Sequence, residues 1–236
     1  MHCFSILFVD EQAAELAWRK FLLPHNTVKV TLDPDTAHPQ LVVSQDKSSV
    51  RCESKRQQVP DTPERFDYWY CVLGHEEFRE GRHCWLVEVK REQKGNLGWA
   101  MGVARASVER KRGMNMSPEG GIWAVEYYKG LLMFLTSPPT PLSLSPVPMR
   151  ICVCLDCTQG QVSFINAENG VEIFTFTAAS FNGESIRPWF WVWTWGTQLC
   201  LRDSTPQTLS PALGESCPSP DTTASPLLGP GGAVQE

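Results

Sequence analysis

Residues 60–90 read PDTPERFDYWYCVLGHEEFREGRHCWLVEVK, and their pattern decides the fold. Two apolar runs, 70–73 and 83–89, flank a polar link that contains Gly74 and Gly81. In the second run Trp85, Val87 and Val89 alternate with Leu86, Glu88 and Lys90. A period of two is the signature of a strand packed on one face. The stretch therefore reads as two strands and their connection, placed so that neighbours on either side can pair with them.

Working outward, the same signal repeats. Runs at 28–32, 41–43, 50–52, 97–104, 121–128, 131–135, 150–155, 162–166, 171–176, 188–195 and 198–201 are short, apolar and separated by turn residues. Lys129-Gly130, Gln159-Gly160 and Asn169-Gly170 mark hairpin turns, with Asn-Gly the strongest because both residues tolerate positive φ. About a dozen short strands with regular turns predict an all-β, two-sheet antiparallel sandwich. The convincing helical pattern is EQAAELAWRKFLL at 11–23, where Ala14, Ala17, Trp18, Phe21 and Leu22 share a face and Pro24 stops the run. It reads as a short helix packed on the domain, with the end of a longer, coiled-coil helix as the alternative. TSPPTPLSLSPVP at 136–148 reads as a Pro-rich loop between strands. Residues 204–236 carry six of the 18 prolines and read as a disordered tail.

Composition excludes several function classes. A net charge of −5 argues against a general affinity for nucleic acid or an anionic membrane surface. The apolar opening, 1–9, is followed by Asp10 and Glu11 and is too short to span a membrane. Nine cysteines is an odd number, and Cys71, Cys84, Cys152, Cys154 and Cys200 lie in apolar runs where thiols act as small buried hydrophobes. That usage predicts a reducing, cytoplasmic setting. Cys154-x-x-Cys157 is one pair without a second, so no zinc site is expected. His75-Glu76-Glu77 is not the HExxH arrangement, no Gly-rich phosphate loop is present, and no nucleophile context stands out. No cofactor and no catalysis are expected. The basic cluster Arg105, Arg110, Lys111 and Arg112 reads as a solvated loop, or as a recognition element for an acidic partner. In WFWVWTW at 189–195 four indoles share one strand parity. A strand that leaves the core and runs to a rim accommodates Trp193 and Trp195, and rim aromatics are common anchors of protein-binding surfaces.

The sequence also resembles a known family, the PRY–SPRY domain of tripartite-motif ubiquitin ligases and butyrophilins. The matching pieces are VTLDPDTAHP at 30–39, PERF at 63–66, CVLG at 71–74 and GRHCWLVEV at 81–89. Trp99 with Gly102-Val103, SVERK at 107–111, Leu155-Asp156 with VSFIN at 162–166, and RPWF at 187–190 follow in the family's order. The resemblance implies a bent β-sandwich of the SPRY, concanavalin-like type without an active site. Its segments would be a lead-in at 1–27, a PRY part at 28–80, a SPRY part at 81–203 and the tail at 204–236. It also implies a loop-lined pocket that binds a protein or peptide. The positions matching that pocket are Trp69, Tyr70, Ala100, Asn115, Glu126, Tyr128, Trp193 and Trp195. The family pattern departs at Leu155-Asp156-Cys157-Thr158 and at Trp85-Leu86-Val87-Glu88. Trp69, Ala100 and Asn115 stand where a phosphate-sensing butyrophilin pocket needs basic groups, which speaks against phosphoantigen binding. The reading is thus a cytoplasmic, non-catalytic recognition module. Its alternatives are the substrate-binding part of a ligase whose RING lies outside this chain, or a small-ligand sensor in immune signalling.

Overall fold

The computed structural model describes residues 27–91 and 98–203. The helical reading at 11–23 and the tail at 204–236 lie outside them. Thirteen strands follow one another: β1 (Leu41–Val43), β2 (Ser49–Cys52), β3 (Cys71–Leu73), β4 (Arg82–Arg91), β5 (Gly98–Arg105), β6 (Ile122–Tyr128) and β7 (Leu131–Phe134), then β8 (Thr140–Leu142), β9 (Arg150–Asp156), β10 (Gln161–Asn166), β11 (Glu172–Phe176), β12 (Ile186–Val192) and β13 (Thr197–Arg202). One sheet has seven strands in the order β1-β2-β13-β4-β9-β10-β11, the other six in the order β3-β12-β5-β6-β7-β8. Every pairing is antiparallel. No helix among the described residues is long and apolar enough to cross a membrane.

The alternation read in the opening stretch is the packing pattern. Trp85, Val87 and Val89 of β4 face inward against Trp99, Met101 and Val103 of β5. Burying such side chains contributes about 1.5–3 kcal/mol each, which makes this layer the main source of stability. A second apolar cluster lies on the outer face of the six-stranded sheet, where Cys71, Leu73, Trp189, Trp191, Ala100, Ala104, Ile122 and Ala124 are covered by Phe66, Val108 and Met114. Burial on both faces explains why β12 reads as nearly continuous hydrophobic sequence.

Four local readings are corrected. Residues 28–32 alternate as expected, with Val30 and Leu32 buried, yet they form only one isolated bridge, Leu32 to Gly74, after the bridge from Thr27 to Cys84 just before them. The Thr31 N–H is taken by the Glu76 carboxylate at 2.9 Å and the Leu32 N–H by the Lys47 carbonyl at 2.8 Å, which leaves no ladder to join. The Pro-rich link at 136–148 contains β8, which pairs with β7 through Pro141 opposite Met133. Proline is tolerated there because β8 is an edge strand. The hairpin turn with both residues left-handed is Lys129-Gly130, at φ 50° and 85°, whereas at Asn169-Gly170 only the glycine takes positive φ. Finally, the Trp-rich run at 188–195 stops being a strand at Val192.

Candidate functional site

β12 and β13 belong to different sheets, so the chain between them crosses the end of the sandwich. Residues 193–196 make that crossing. Gly98 at the start of β5 holds it: its carbonyl accepts from Trp193 N at 3.0 Å, and its N–H donates to Thr194 Oγ1 at 2.9 Å. The Thr197 N–H closes the turn on the Thr194 carbonyl, and Gly196 supplies a φ of 76°. A side chain at position 98 would sit 3.2–3.4 Å from Thr194, Trp193 and Tyr128, so the glycine permits this approach.

Strand register builds the face beside the crossing. Cys71, Trp191, Ala100, Glu126, Met133 and Pro141 lie on one rung across all six strands. The next rung brings Gly98 opposite Tyr128 and Tyr128 opposite Leu131. Trp191 stacks on Trp193 at 6.0 Å and 15°, and Tyr128 meets Trp191 edge-on at 6.0 Å. On the far side Tyr70 meets Trp193 edge-on at 4.9 Å and stacks on His38 at 4.4 Å. Gln40 orients Tyr70 by accepting its hydroxyl at 2.8 Å. The result is a continuous aromatic wall from His38 to Tyr128 in which Trp193 is 41% exposed; Leu131, opposite Tyr128, is also exposed, as is Trp195 in the crossing itself, at 63%.

Glu126 sits half-buried on this face, its carboxylate without an ion pair or hydrogen bond to any described residue, and burial raises that carboxyl above the usual range. Lys129 caps the Tyr128 end of the wall, its Nζ 5.2 Å from the centre of the Tyr128 ring.

The eight residues named from sequence separate into groups. Trp193, Tyr70, Tyr128 and Glu126 come together as described. Trp69 is half-buried against Tyr68, with its indole N–H buried and unpaired. Trp195 projects from the crossing. Ala100 is fully buried, so it forms the floor between Trp191 and Glu126 and offers no surface. Asn115 is exposed in the loop whose Met114 and Met116 pack on the outer cluster, and its carbonyl accepts from Ser117 within that loop. His38 and Trp191 support the wall and were not singled out. Their contribution depends on contacts across the fold, which no local pattern reports.

The basic cluster is not a free loop. Lys111 Nζ donates to the carbonyls of Thr62 at 3.0 Å and Arg65 at 3.1 Å and pairs with Asp61. Arg110 lies over Phe66, and Arg112 over Tyr68. Cations thus dock the segment that carries Trp69 and Tyr70, since a link free of regular structure needs partners for its carbonyls.

Comparisons with known proteins agree with this architecture. A family model described as "PRY: SPRY-associated domain" matches residues 30–78, and one described as "SPRY domain" matches residues 82–203. Over 182 residues the chain is 47% identical to butyrophilin subfamily 1 member A1 of Bos taurus, covering 77% of this chain and 33% of that protein. It is 45% identical over 173 residues to E3 ubiquitin-protein ligase TRIM15 of Sus scrofa, covering 73% of this chain and 37% of that one. The chain therefore spans about a third of the length of the curated relatives it matches. Among solved structures the TRIM65 PSpry domain superimposes with a TM-score of 0.65 at 22% identity, covering 78% of this chain and 94% of that one.

Proposed function

Because the chain belongs to the PRY–SPRY family, we propose that the aromatic face beside the β12–β13 crossing binds a segment of a partner protein, without bond chemistry of its own. The observation that carries this reading is an exposed indole, Trp193, stacked on Trp191, which shares a rung with the half-buried carboxylate of Glu126, a group with no cation of its own among the described residues. Large aromatics on an open face are the residue types that dominate binding energy, and a desolvated charge awaits compensation. A partner segment would lay apolar side chains against Trp69, Tyr128, Trp193 and Trp195 and direct an N–H donor or a cation at Glu126. Residues 28–80 and 81–203 would act as one recognition unit, between a lead-in at 1–27 and a tail at 204–236. A cytoplasmic setting accords with the thiols of Cys71, Cys84, Cys152 and Cys154, which are buried as small hydrophobic groups. Affinity capture with the parent and with Trp69→Ala, Tyr128→Ala and Trp193→Ala tests the reading. If all three fold normally and retain the parent's partners, it is wrong.

A second reading, the substrate-binding part of a ubiquitin ligase, draws on the relative named as an E3 ligase. In that setting the transfer machinery lies outside these residues. Discharge of ubiquitin from a charged conjugating enzyme by the purified chain would contradict the non-catalytic assignment.

A further inference from the structure

We propose that Cys84, Cys152 and Cys154 form a three-thiolate site for a single copper(I) ion, on the opposite sheet from the recognition face and independent of it. Cys152 and Cys154 are two apart on β9 and share a face, and register places Cys84 of β4 directly across from Cys154. All three sulfurs lie within 4.8 Å of one another, and Cys152 Sγ is 3.7 Å from Cys154 Sγ. An ion holding thiolates at about 2.3 Å sets its sulfurs about 3.8–4.0 Å apart, so only a small contraction gathers these three. Exposure is 3% or less at each, with Ile165 completing the cluster.

The donor set selects the ion. Cys157, the other half of the CxxC pair, falls beyond the end of β9 and is not part of the group. No fourth His, Cys or carboxylate joins among the described residues, which leaves tetrahedral zinc one ligand short. Soft thiolates favour copper(I), which accepts trigonal coordination. Binding forms three Cu–S bonds while three S–H bonds break. Each sulfur keeps its electron pair, the protons pass to buffer, and copper stays monovalent.

The test is anaerobic titration of the reduced 236-residue chain with copper(I) acetonitrile against a bathocuproine competitor. The expected result is one tightly held ion per chain, a near-ultraviolet sulfur-to-copper charge-transfer band, and three Cu–S scatterers by X-ray absorption. Cys152→Ser and, separately, Cys84→Ser should weaken binding by more than the roughly 10–100-fold that loss of an outer-shell partner produces. Cys52→Ser and Cys157→Ser should leave it unchanged. Circular dichroism identifies any variant that fails to fold, and the other variant then decides. Equal affinity in a folded Cys152→Ser or Cys84→Ser chain, two-sulfur coordination, no retained copper, or one equivalent of zinc taken in preference to copper would each overturn the assignment.

Discussion

Tyr70 and Trp193 meet edge to face with ring centroids 4.9 Å apart, and this contact joins the segment before β3 to the crossing after β12. Behind Tyr70 stands His38, so the exposed indole is braced from the N-terminal part of the domain. Replacing Tyr70 by Ala should therefore weaken partner binding by about 2 kcal/mol or more, roughly 30-fold, if Trp193 is a hot spot. Tyr70→Phe keeps the ring and loses only the hydroxyl bond to Gln40, so it should retain most of the affinity. Titration of a captured partner against both variants measures the difference.

Glu126 gives opposite effects on stability and binding. Its carboxyl is raised by burial, so the folded state holds the proton more tightly than the unfolded chain and stability falls as pH rises through that range. Glu126→Gln removes the burden and should raise the melting temperature at neutral pH by about 2 °C, the scale expected of a sub-kilocalorie change in a domain of this size. The same variant should weaken binding of a partner that presents a cation. A melting temperature at or below the parent's would remove the desolvation argument.

His38 should impose an acid limit. Burial, assisted by Arg56, lowers its value from 6.5 to about 4. Nδ1 accepts from Gln40 N at 3.1 Å, so the ring stays neutral and Nε2–H donates to the Asp67 carbonyl. The unfolded chain takes up this proton first. The contribution is complete above about pH 6.5 and declines as pH falls toward 4, at up to about 1.4 kcal/mol per pH unit. Urea midpoints across that range should fall in the parent and fall less in His38→Gln.

Arg187 binds the two ends of the domain together. Its guanidinium donates to Asp33 Oδ2 at 2.8 Å and to the Gly74 carbonyl at 2.9 Å, with 10% of the Arg side chain and 18% of the Asp side chain exposed. Arg187→Met strands a shielded carboxylate and should lose about 3 kcal/mol in urea unfolding. Adding Asp33→Asn should recover part of that loss, because the stranded charge is gone.

Gly102 admits no side chain. A Cβ there would lie 2.1 Å from the Trp123 carbonyl oxygen and 2.6 Å from the Ala124 Cα, both backbone atoms of the paired strand. Gly102→Ala should destabilise by more than about 3 kcal/mol or prevent folding, beyond the usual range for overpacking with side chains alone. Gly113→Ala meets nothing within 4 Å and serves as the neutral control. Thermal unfolding of the pair is the measurement.

Most of the sandwich was legible because a strand's facing pattern is local. The alternation of Trp85, Val87 and Val89 is visible in the sequence and is the buried face of β4. Excess aromatic residues on one parity also pointed correctly to a rim at Trp193 and Trp195, since four indoles exceed what one buried face accommodates. β8 was hidden by Pro141 and the prolines around it, and residues 28–32 looked like a strand because side-chain burial alternates there without a ladder. The basic run at 105–112 looked solvated because charge says nothing about which carbonyls lie within reach.

By itself the sequence determined the period, the turns and the family, each written in residues a few positions apart. Only the tertiary structure decided which residues face each other. Cys84 meets Cys154, and Trp191 meets Ala100 and so Glu126, through strand register across distant stretches of chain. A one-residue slip would turn every one of these side chains to the other face, and what prevents the slip is burial of the whole sheet rather than any local preference.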